Sequence, residues 1–183
     1  MIILASKSPR RQELIKLITN DYRVETADVD ETLPQGITPA EAVMYLSGIK
    51  ASAIHAESDT VIGADTVVAV DGTILGKPKS TDHAREMLTL LSGRWHSVFT
   101  GVTMIKNNRK ESFFGETRVK FFPLTEEDIN EYVATGEPMD KAGAYGIQGY
   151  GSLLVERIDG DYFNVVGLPV SRLNRELRIF SGF

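Results

Sequence analysis

The sequence contains no cysteine, and this absence excludes three kinds of chemistry. Without thiols there is no disulfide framework, no thiolate nucleophile and no cysteine-ligated zinc site. Long apolar runs are also absent: nothing approaches the roughly 18 to 20 consecutive apolar residues that span a bilayer. The apolar start, residues 1–5, is too short for a signal-peptide core. We therefore expect a cytoplasmic protein with no membrane partner.

A surplus of basic residues is missing as well, because the formal net charge is −5. Domains that bind duplex nucleic acid need such a surplus to neutralise phosphates, so we expect no polymeric nucleic acid as a partner. A small polyanion is a different case. A few cations that converge in one cleft bind it, because the local field governs binding there.

The 183 residues, of which 42% are hydrophobic, suit one domain over residues 1–183. Capping patterns predict helices that begin after Ser8, Thr38 and Thr125. Strand patterns predict three hairpins. Their arms are residues 60–70 with 73–75, 95–105 with 111–122, and 153–158 with 162–166. Helices interspersed with hairpins predict an α/β fold with a mixed sheet.

The first polar segment that suggests chemistry contains Ser8, Arg10 and Arg11, between a predicted strand and a predicted helix. Free backbone N–H groups, a hydroxyl and two guanidinium groups at a helix start suit a phosphate. The alternative is that Ser8 only caps the helix and both arginines are solvated.

The second is Asp65, a carboxylate within an otherwise apolar strand. Such a group must be paired, exposed in a cleft or bound to a metal, because burying it alone is very costly. Glu31, in an acidic segment, is a candidate to join it. The alternatives are a purely structural Asp65 and a solvated acidic loop around Glu31.

Lys77, in the segment Gly76-Lys77-Pro78, is a candidate point charge for a phosphate. The segment is not a Walker A motif, because three rather than four residues separate Gly72 from Gly76 and Pro78 replaces the Ser or Thr that would bind magnesium.

The fourth candidate region is the glycine-rich stretch 137–151, which contains Lys141 and Gln148. A glycine-rich backbone can approach a ligand closely. The Gln148 amide both donates and accepts hydrogen bonds, so it matches part of a uracil or thymine edge, where an N–H lies between two carbonyl groups.

Six segments in one order resemble the Maf family of nucleotide pyrophosphatases over essentially the whole chain: LASKSPRRQEL, GADTVV, GKP, LSGRWHSV, EPMDKAGAYGIQG and DGDYFNVVGLP. The resemblance implies an elongated mixed sheet flanked by helices, two lobes with a central cleft, a homodimer, and a divalent cation, Mg²⁺ or Mn²⁺. It also implies cleavage of a nucleoside triphosphate to monophosphate and pyrophosphate, with a role in removing unwanted nucleotides. DKAGAYGIQG is similar to the branch that acts on dTTP and UTP.

The resemblance also implies roles for individual residues. Asp65 matches the family's proton acceptor, and Glu31 is the second carboxylate that helps to hold the metal; Lys77 joins them in catalysis. The implied phosphate contacts are Ser8, Arg10, Arg11, Lys50, Lys77 and Lys141. The positions that the family associates with base choice are Arg10, Thr66 and Gln148.

The expected mechanism is attack of water on the α-phosphorus, with Asp65 taking the proton directly or from a metal-bound water. Two other functions stay open at this stage. One is a nucleotide-binding regulator of septum formation, which needs the cations but has little use for Asp65 and Glu31. The other is a pyrophosphatase for modified nucleotides such as 7-methyl-GTP.

Overall fold

The computed structural model describes residues 1–181 and contains one seven-stranded sheet flanked by helices. The strands are β1 Ile2–Ala5, β2 Tyr22–Val24, β3 Thr60–Val70, β4 Thr73–Leu75, β5 Trp95–Lys106, β6 Arg109–Phe121 and β7 Val155–Asp159. The helices are α1 Pro9–Ile15, α2 Pro39–Ser52, α3 Thr81–Leu91, α4 Glu126–Ala134, α5 Tyr162–Val166 and α6 Val170–Ser181. Three short 3₁₀ turns, Glu137–Asp140, Ala142–Ala144 and Gly149–Leu154, occupy most of the glycine-rich stretch. Within the described part of the chain, no helix is both long and apolar enough to cross a bilayer.

The sheet is mixed, as predicted. Its strand order is β2-β1-β3-β5-β6-β7, with β4 paired to β3. β1 runs parallel to β2 and to β3, and the other pairs are antiparallel. The first two predicted hairpins are confirmed: β3 pairs with β4, and β5 pairs with β6 along almost their whole lengths.

Helix α2 lies unusually close to the sheet because β3 and β5 have glycines beneath it. A Cβ atom on Gly63 would overlap the carbonyl oxygen of Ser47, and one on Gly101 would overlap the carbonyl oxygen of Val43. Gly63 in β3 is two residues before Asp65, and Lys50 is on the facing helix. The close contact therefore brings a lysine within reach of the strand carboxylate.

Two large apolar clusters form the core. One includes Leu88, Leu91 and Phe121, and the other includes Leu4, Ile62 and Leu173, all of them fully or almost fully buried. Each such side chain contributes about 1.5–3 kcal/mol through removal from water. Residues of both clusters line a single cleft, which confirms the predicted arrangement of two lobes around a central cleft.

The third predicted hairpin is wrong, because Tyr162–Val166 is helix α5 rather than a strand. Tyr, Phe and Val favour strands, but the capping residue before them overrides that preference. The Asp161 carboxylate accepts a hydrogen bond from the Phe163 amide at 2.8 Å, which starts the helix. Gly167, with a φ of +127°, ends it. Strand β7 pairs with β6 instead.

Candidate functional site

The central cleft has a volume of about 1000 Å³ and brings together residues from distant parts of the sequence. All ten residues predicted for the site line it: Ser8, Arg10, Arg11, Glu31, Lys50, Asp65, Thr66, Lys77, Lys141 and Gln148. Five of the ten are lysines or arginines. With Lys7, six cationic side chains line the cleft beside five carboxylates, so a chain with a net charge of −5 has a small excess of cations in one concave surface.

Lys50 joins the two predicted carboxylates. Its Nζ atom lies 2.5 Å from Asp65 Oδ1 and 3.1 Å from Glu31 Oε1. The Asp65 and Lys50 side chains are only 13% and 18% exposed, whereas Glu31 is 54% exposed. The lysine offsets the cost of placing a carboxylate within an apolar strand. Asp65 is therefore held in the cleft wall by an ion pair, and the more exposed Glu31 contacts the same ammonium group.

Ser8 caps helix α1, as predicted, although its bond to the Arg11 amide is long at 3.5 Å. The Ser8 amide in turn donates to Ser6 Oγ at 3.3 Å. This loop follows β1 directly, so the parallel pairing of β1 with β3 brings it beside the segment that contains Asp65.

Arg11 is held by neutral oxygen atoms. Its Nε donates to the Gly167 carbonyl oxygen at 2.8 Å, and its two terminal nitrogens donate to Thr66 Oγ1 at 2.9 Å and to Ser6 Oγ at 3.3 Å. Burial lowers the pKa of Arg11, an effect that the negative charge of Asp65 opposes. Among residues 1–181 no carboxylate forms an ion pair with this guanidinium, so its charge favours an anionic ligand.

Lys141, which also lines the cleft, is held by the turn that precedes it. Its Nζ donates to the Glu137 carbonyl oxygen at 2.7 Å and to Asp140 Oδ1 at 2.8 Å. The hydrogen bond from Lys141 lowers the pKa of Asp140 below its ordinary value. Sequence reasoning found Lys141 but missed Asp140, although the two are adjacent in the sequence.

Comparison with known proteins identifies the family. The family model described as Maf-like protein matches residues 1–180. This chain belongs to the Maf-like family. It is 50% identical over 181 residues to the dTTP/UTP pyrophosphatase of Bacillus pumilus, covering 98% of this chain and 96% of that one. It is 51% identical over 181 residues to the dTTP/UTP pyrophosphatase of Bacillus cytotoxicus, covering 97% and 94%. The structure of the Staphylococcus aureus Ham1 protein covers 66% of this chain and 71% of its own, with 22% identity and a TM-score of 0.47.

The glycine-rich wall of this Maf-like protein is braced by a carboxylate that sequence reasoning missed. The Glu137 side chain accepts hydrogen bonds from the Tyr150 amide at 3.2 Å and the Gly151 amide at 3.3 Å. These two amides follow shortly after Gln148 in the sequence. Glu137 therefore fixes the position of the segment that contains Gln148. The only sequence signal for Glu137 was its place in EPMD, the start of the segment EPMDKAGAYGIQG.

A second missed group lies behind Thr66. The hydroxyl groups of Thr66 and Thr100 are 2.8 Å apart, and Thr100 Oγ1 donates to the backbone carbonyl of Asn164 at 2.8 Å. Thr100 had no sequence signal, since it is one of several threonines in a strand. Asn164 was hidden by the wrong assignment of α5 as a strand.

Proposed function

We propose that this Maf-like chain hydrolyses dTTP and UTP to the nucleoside monophosphate and pyrophosphate. The single observation that carries the proposal is the Lys50–Asp65–Glu31 group at the wall of a cleft of about 1000 Å³ that Arg10, Arg11, Lys77 and Lys141 also line. Pockets for small molecules span about 300–1000 Å³, so the cleft has room for a nucleotide. Relatives that align along nearly their whole length with this chain are named dTTP/UTP pyrophosphatases, which supports the same substrates here.

Asp65 is proposed as the proton acceptor. A water oxygen attacks the α-phosphorus, its proton passes to the Asp65 carboxylate, and the bond between the α-phosphorus and the bridging oxygen breaks. Pyrophosphate leaves with that bridging oxygen. Lys50 holds the Asp65 carboxylate in place, since its ammonium group lies against it.

The remaining cations are proposed to bind the triphosphate and to stabilise the charge that develops on the leaving group. Arg11 is the best supported of them, because its guanidinium is fixed by three hydrogen bonds and has no ion-pair partner in the described residues. Arg10, Lys77 and Lys141 line the same cleft, and the Ser8 hydroxyl and backbone lie at its edge. Fixed donors that need no rearrangement are the most effective at stabilising such charge.

A divalent cation, Mg²⁺ or Mn²⁺, is part of this proposal. The donor types fit: Glu31 and Asp65 both contact the Lys50 ammonium and so lie near each other, and Mg²⁺ is usually bound by one or two carboxylates together with substrate phosphates. Within residues 1–181 no group of three His, Cys, Asp or Glu side chains could bind a metal without the substrate. When bound, the ion would neutralise charge on the phosphate oxygens.

The preference for uracil and thymine is assigned to Gln148, Thr66 and Arg10. Gln148 lies in the segment that Glu137 braces, and Thr66 is adjacent to Asp65, so base-reading and catalytic groups share one cleft. One amide and one hydroxyl can form directed hydrogen bonds to the base edge.

The proposal is tested by measuring pyrophosphate release from dTTP, UTP, CTP, GTP and 7-methyl-GTP with Mg²⁺ or Mn²⁺. We expect dTTP and UTP to have the highest kcat/KM. Preference for 7-methyl-GTP would contradict the substrate assignment, and no release from any nucleotide with either metal would contradict the reaction itself.

A single domain, a homodimer and a cytoplasmic location belong to the same proposal. The family match over residues 1–180 supports the single domain. Light scattering of the purified protein tests the dimer, since a homodimer has twice the chain mass of 20.2 kDa. A mass of one chain at enzyme-assay concentration would contradict it.

A further inference from the structure

A chain of hydrogen bonds leads from the cleft into the interior of the sheet. Arg11 donates to Thr66 Oγ1 at 2.9 Å, the Thr66 and Thr100 hydroxyl oxygens are 2.8 Å apart, and Thr100 Oγ1 lies 2.8 Å from the Asn164 carbonyl oxygen. Thr66 is half-buried and lines the cleft, whereas Thr100 and Asn164 are completely buried.

The direction of each bond follows from counting protons. A carbonyl oxygen only accepts, so the single Thr100 hydroxyl proton points to Asn164. The proton between Thr66 and Thr100 must then come from Thr66. The guanidinium of Arg11 only donates, so it occupies one lone pair of the Thr66 oxygen. Thr66 has no proton left, and one lone pair remains for a ligand.

The far end of the chain is fixed in the core. The Asn164 side-chain amide donates to the Val98 carbonyl oxygen at 3.0 Å and to Thr117 Oγ1 at 3.1 Å, which ties α5 to β5 and β6. Thr117 in turn donates to the Asp161 carbonyl oxygen at 2.9 Å. Because Asn164 is completely buried, reversing the direction of the chain would leave its carbonyl oxygen without a partner.

We infer that Thr100 is a positioning residue for base choice. Because Thr100 takes the Thr66 proton, the Thr66 hydroxyl can accept a hydrogen bond from the nucleotide but cannot donate one to it. Uracil and thymine have a ring N–H that such an acceptor can bind. The corresponding ring nitrogen of cytosine is itself an acceptor and would face the Thr66 lone pair without a proton between them. This inference rests on the proposed function and adds the physical basis of its base preference.

The decisive experiment compares Thr100→Val with Thr100→Ser. Valine matches the shape of threonine but frees the Thr66 proton, so Thr66 can then donate to cytosine. We expect the ratio of kcat/KM for UTP to that for CTP to fall about fivefold in Thr100→Val, the equivalent of one neutral hydrogen bond. Thr100→Ser keeps the hydroxyl and should keep the wild-type ratio.

Thr103→Val is the matched control. Thr103 is also a completely buried threonine of β5, and its hydroxyl contacts Ser47 and Ser112, neither of which lines the cleft. It should lose stability but keep the UTP to CTP ratio. An unchanged ratio in Thr100→Val, or an equal loss of activity with both nucleotides, would overturn the inference.

Two further measurements separate this inference from the proposed function. Calorimetry in the presence of a metal chelator measures the ratio of UTP affinity to CTP affinity without turnover. The inference is therefore testable even if the wild type hydrolyses nothing. If Thr100→Val does not fold, Thr66→Val removes the acceptor itself and must lower the ratio. A Thr66→Val protein with the wild-type ratio would also overturn the inference.

Discussion

Two adjacent parts of the cleft, which we call the ionic end (around Asp65) and the hydroxyl end (around Thr66), are built from different kinds of interaction. At one end Lys50 holds Asp65 and Glu31 through ionic contacts, and Glu31 is largely exposed. At the hydroxyl end Thr66 accepts a hydrogen bond from the Arg11 guanidinium, and the bonds from Thr66 to Thr100 and on to Asn164 continue into the core. Ionic contacts tolerate changes in geometry and suit phosphate chemistry, whereas directed hydrogen bonds distinguish one base from another. Under the proposed function, this difference would let the chain support reaction and selectivity through separate groups.

The largest effect is expected from removing the Asp65 carboxylate at the ionic end. Asp65→Asn keeps the size of the side chain but not its ability to take a proton, so kcat should fall by roughly 10²–10⁴-fold. The UTP to CTP binding ratio should not change, because the hydroxyl end is intact. Steady-state kinetics and calorimetry measure the two quantities.

Asp71→Asn is the control for that variant. Asp71 is an exposed carboxylate in the β3–β4 turn, with a φ of +50° that asparagine tolerates well, and it pairs with Arg94 outside the cleft. It should retain full activity. A folded Asp65→Asn protein as active as Asp71→Asn would remove Asp65 from the mechanism.

The second expected effect is a dependence of stability on pH through His96, which lies behind the cleft residue Tyr145. His96 is buried and its Nε2 lies 2.7 Å from the hydroxyl of Tyr145, a cleft residue. Burial lowers the pKa of His96 to about 4 from an ordinary value of 6.5. The unfolded chain therefore binds this proton more readily, and stability is lost as pH falls from 6.5 towards 4, by up to about 3 kcal/mol.

Urea denaturation at a series of pH values measures this dependence. His96→Gln removes the titrating imidazole. The loss of unfolding free energy between pH 6.5 and 4 should therefore be smaller in this variant, by up to about 3 kcal/mol. An identical pH dependence in the variant and the wild type would show that His96 is not the responsible group.

The third effect is expected from moving helix α2, which contains Lys50, away from β3. In Gly63→Ala the added methyl group would overlap the Ser47 carbonyl oxygen, so α2 must move away from β3. Overpacking of this kind costs about 1–3 kcal/mol. It should also lower kcat, because Lys50 on α2 is displaced from Asp65. Thermal denaturation and kinetics measure both.

Gly48→Ala, in the same helix, is the matched control. A methyl group there would meet the flexible end of Lys110 at 3.4 Å and the Thr103 hydroxyl at 3.9 Å, without overlap. Alanine is favoured over glycine within a helix by about 1 kcal/mol, so this variant should be as stable as the wild type or more so. Equal destabilisation by Gly63→Ala and Gly48→Ala would refute the close-contact explanation.

The smallest effect is expected from weakening the hydrogen bonds by which Glu137 braces the glycine-rich wall. Glu137→Gln leaves one acceptor oxygen in place of two for the amides of Tyr150 and Gly151. Loss of about one hydrogen bond should lower kcat/KM for UTP about fivefold, mainly through KM. Glu131→Gln, at an exposed position of α4, should have no effect. A change in kcat alone would contradict a role in positioning the wall.

Much of the molecule was determined locally. Ser8, Thr38 and Thr125 cap their helices because capping depends on a few adjacent residues, and the β3–β4 and β5–β6 hairpins follow from alternation and turn residues. The polar and cationic residues that line the cleft were recognisable from motif order. These features need no knowledge of distant contacts.

Only the tertiary structure decided how those residues work together. The Lys50–Asp65 contact depends on glycines that let α2 approach the sheet, and the buried partners of Thr66 come from β5 and α5, far along the chain. Asp161 turned a strand-favouring segment into α5, which placed Asn164 in the core. The physical reason is that burial and proton direction depend on groups that meet only after folding, whereas capping and alternation act between near neighbours.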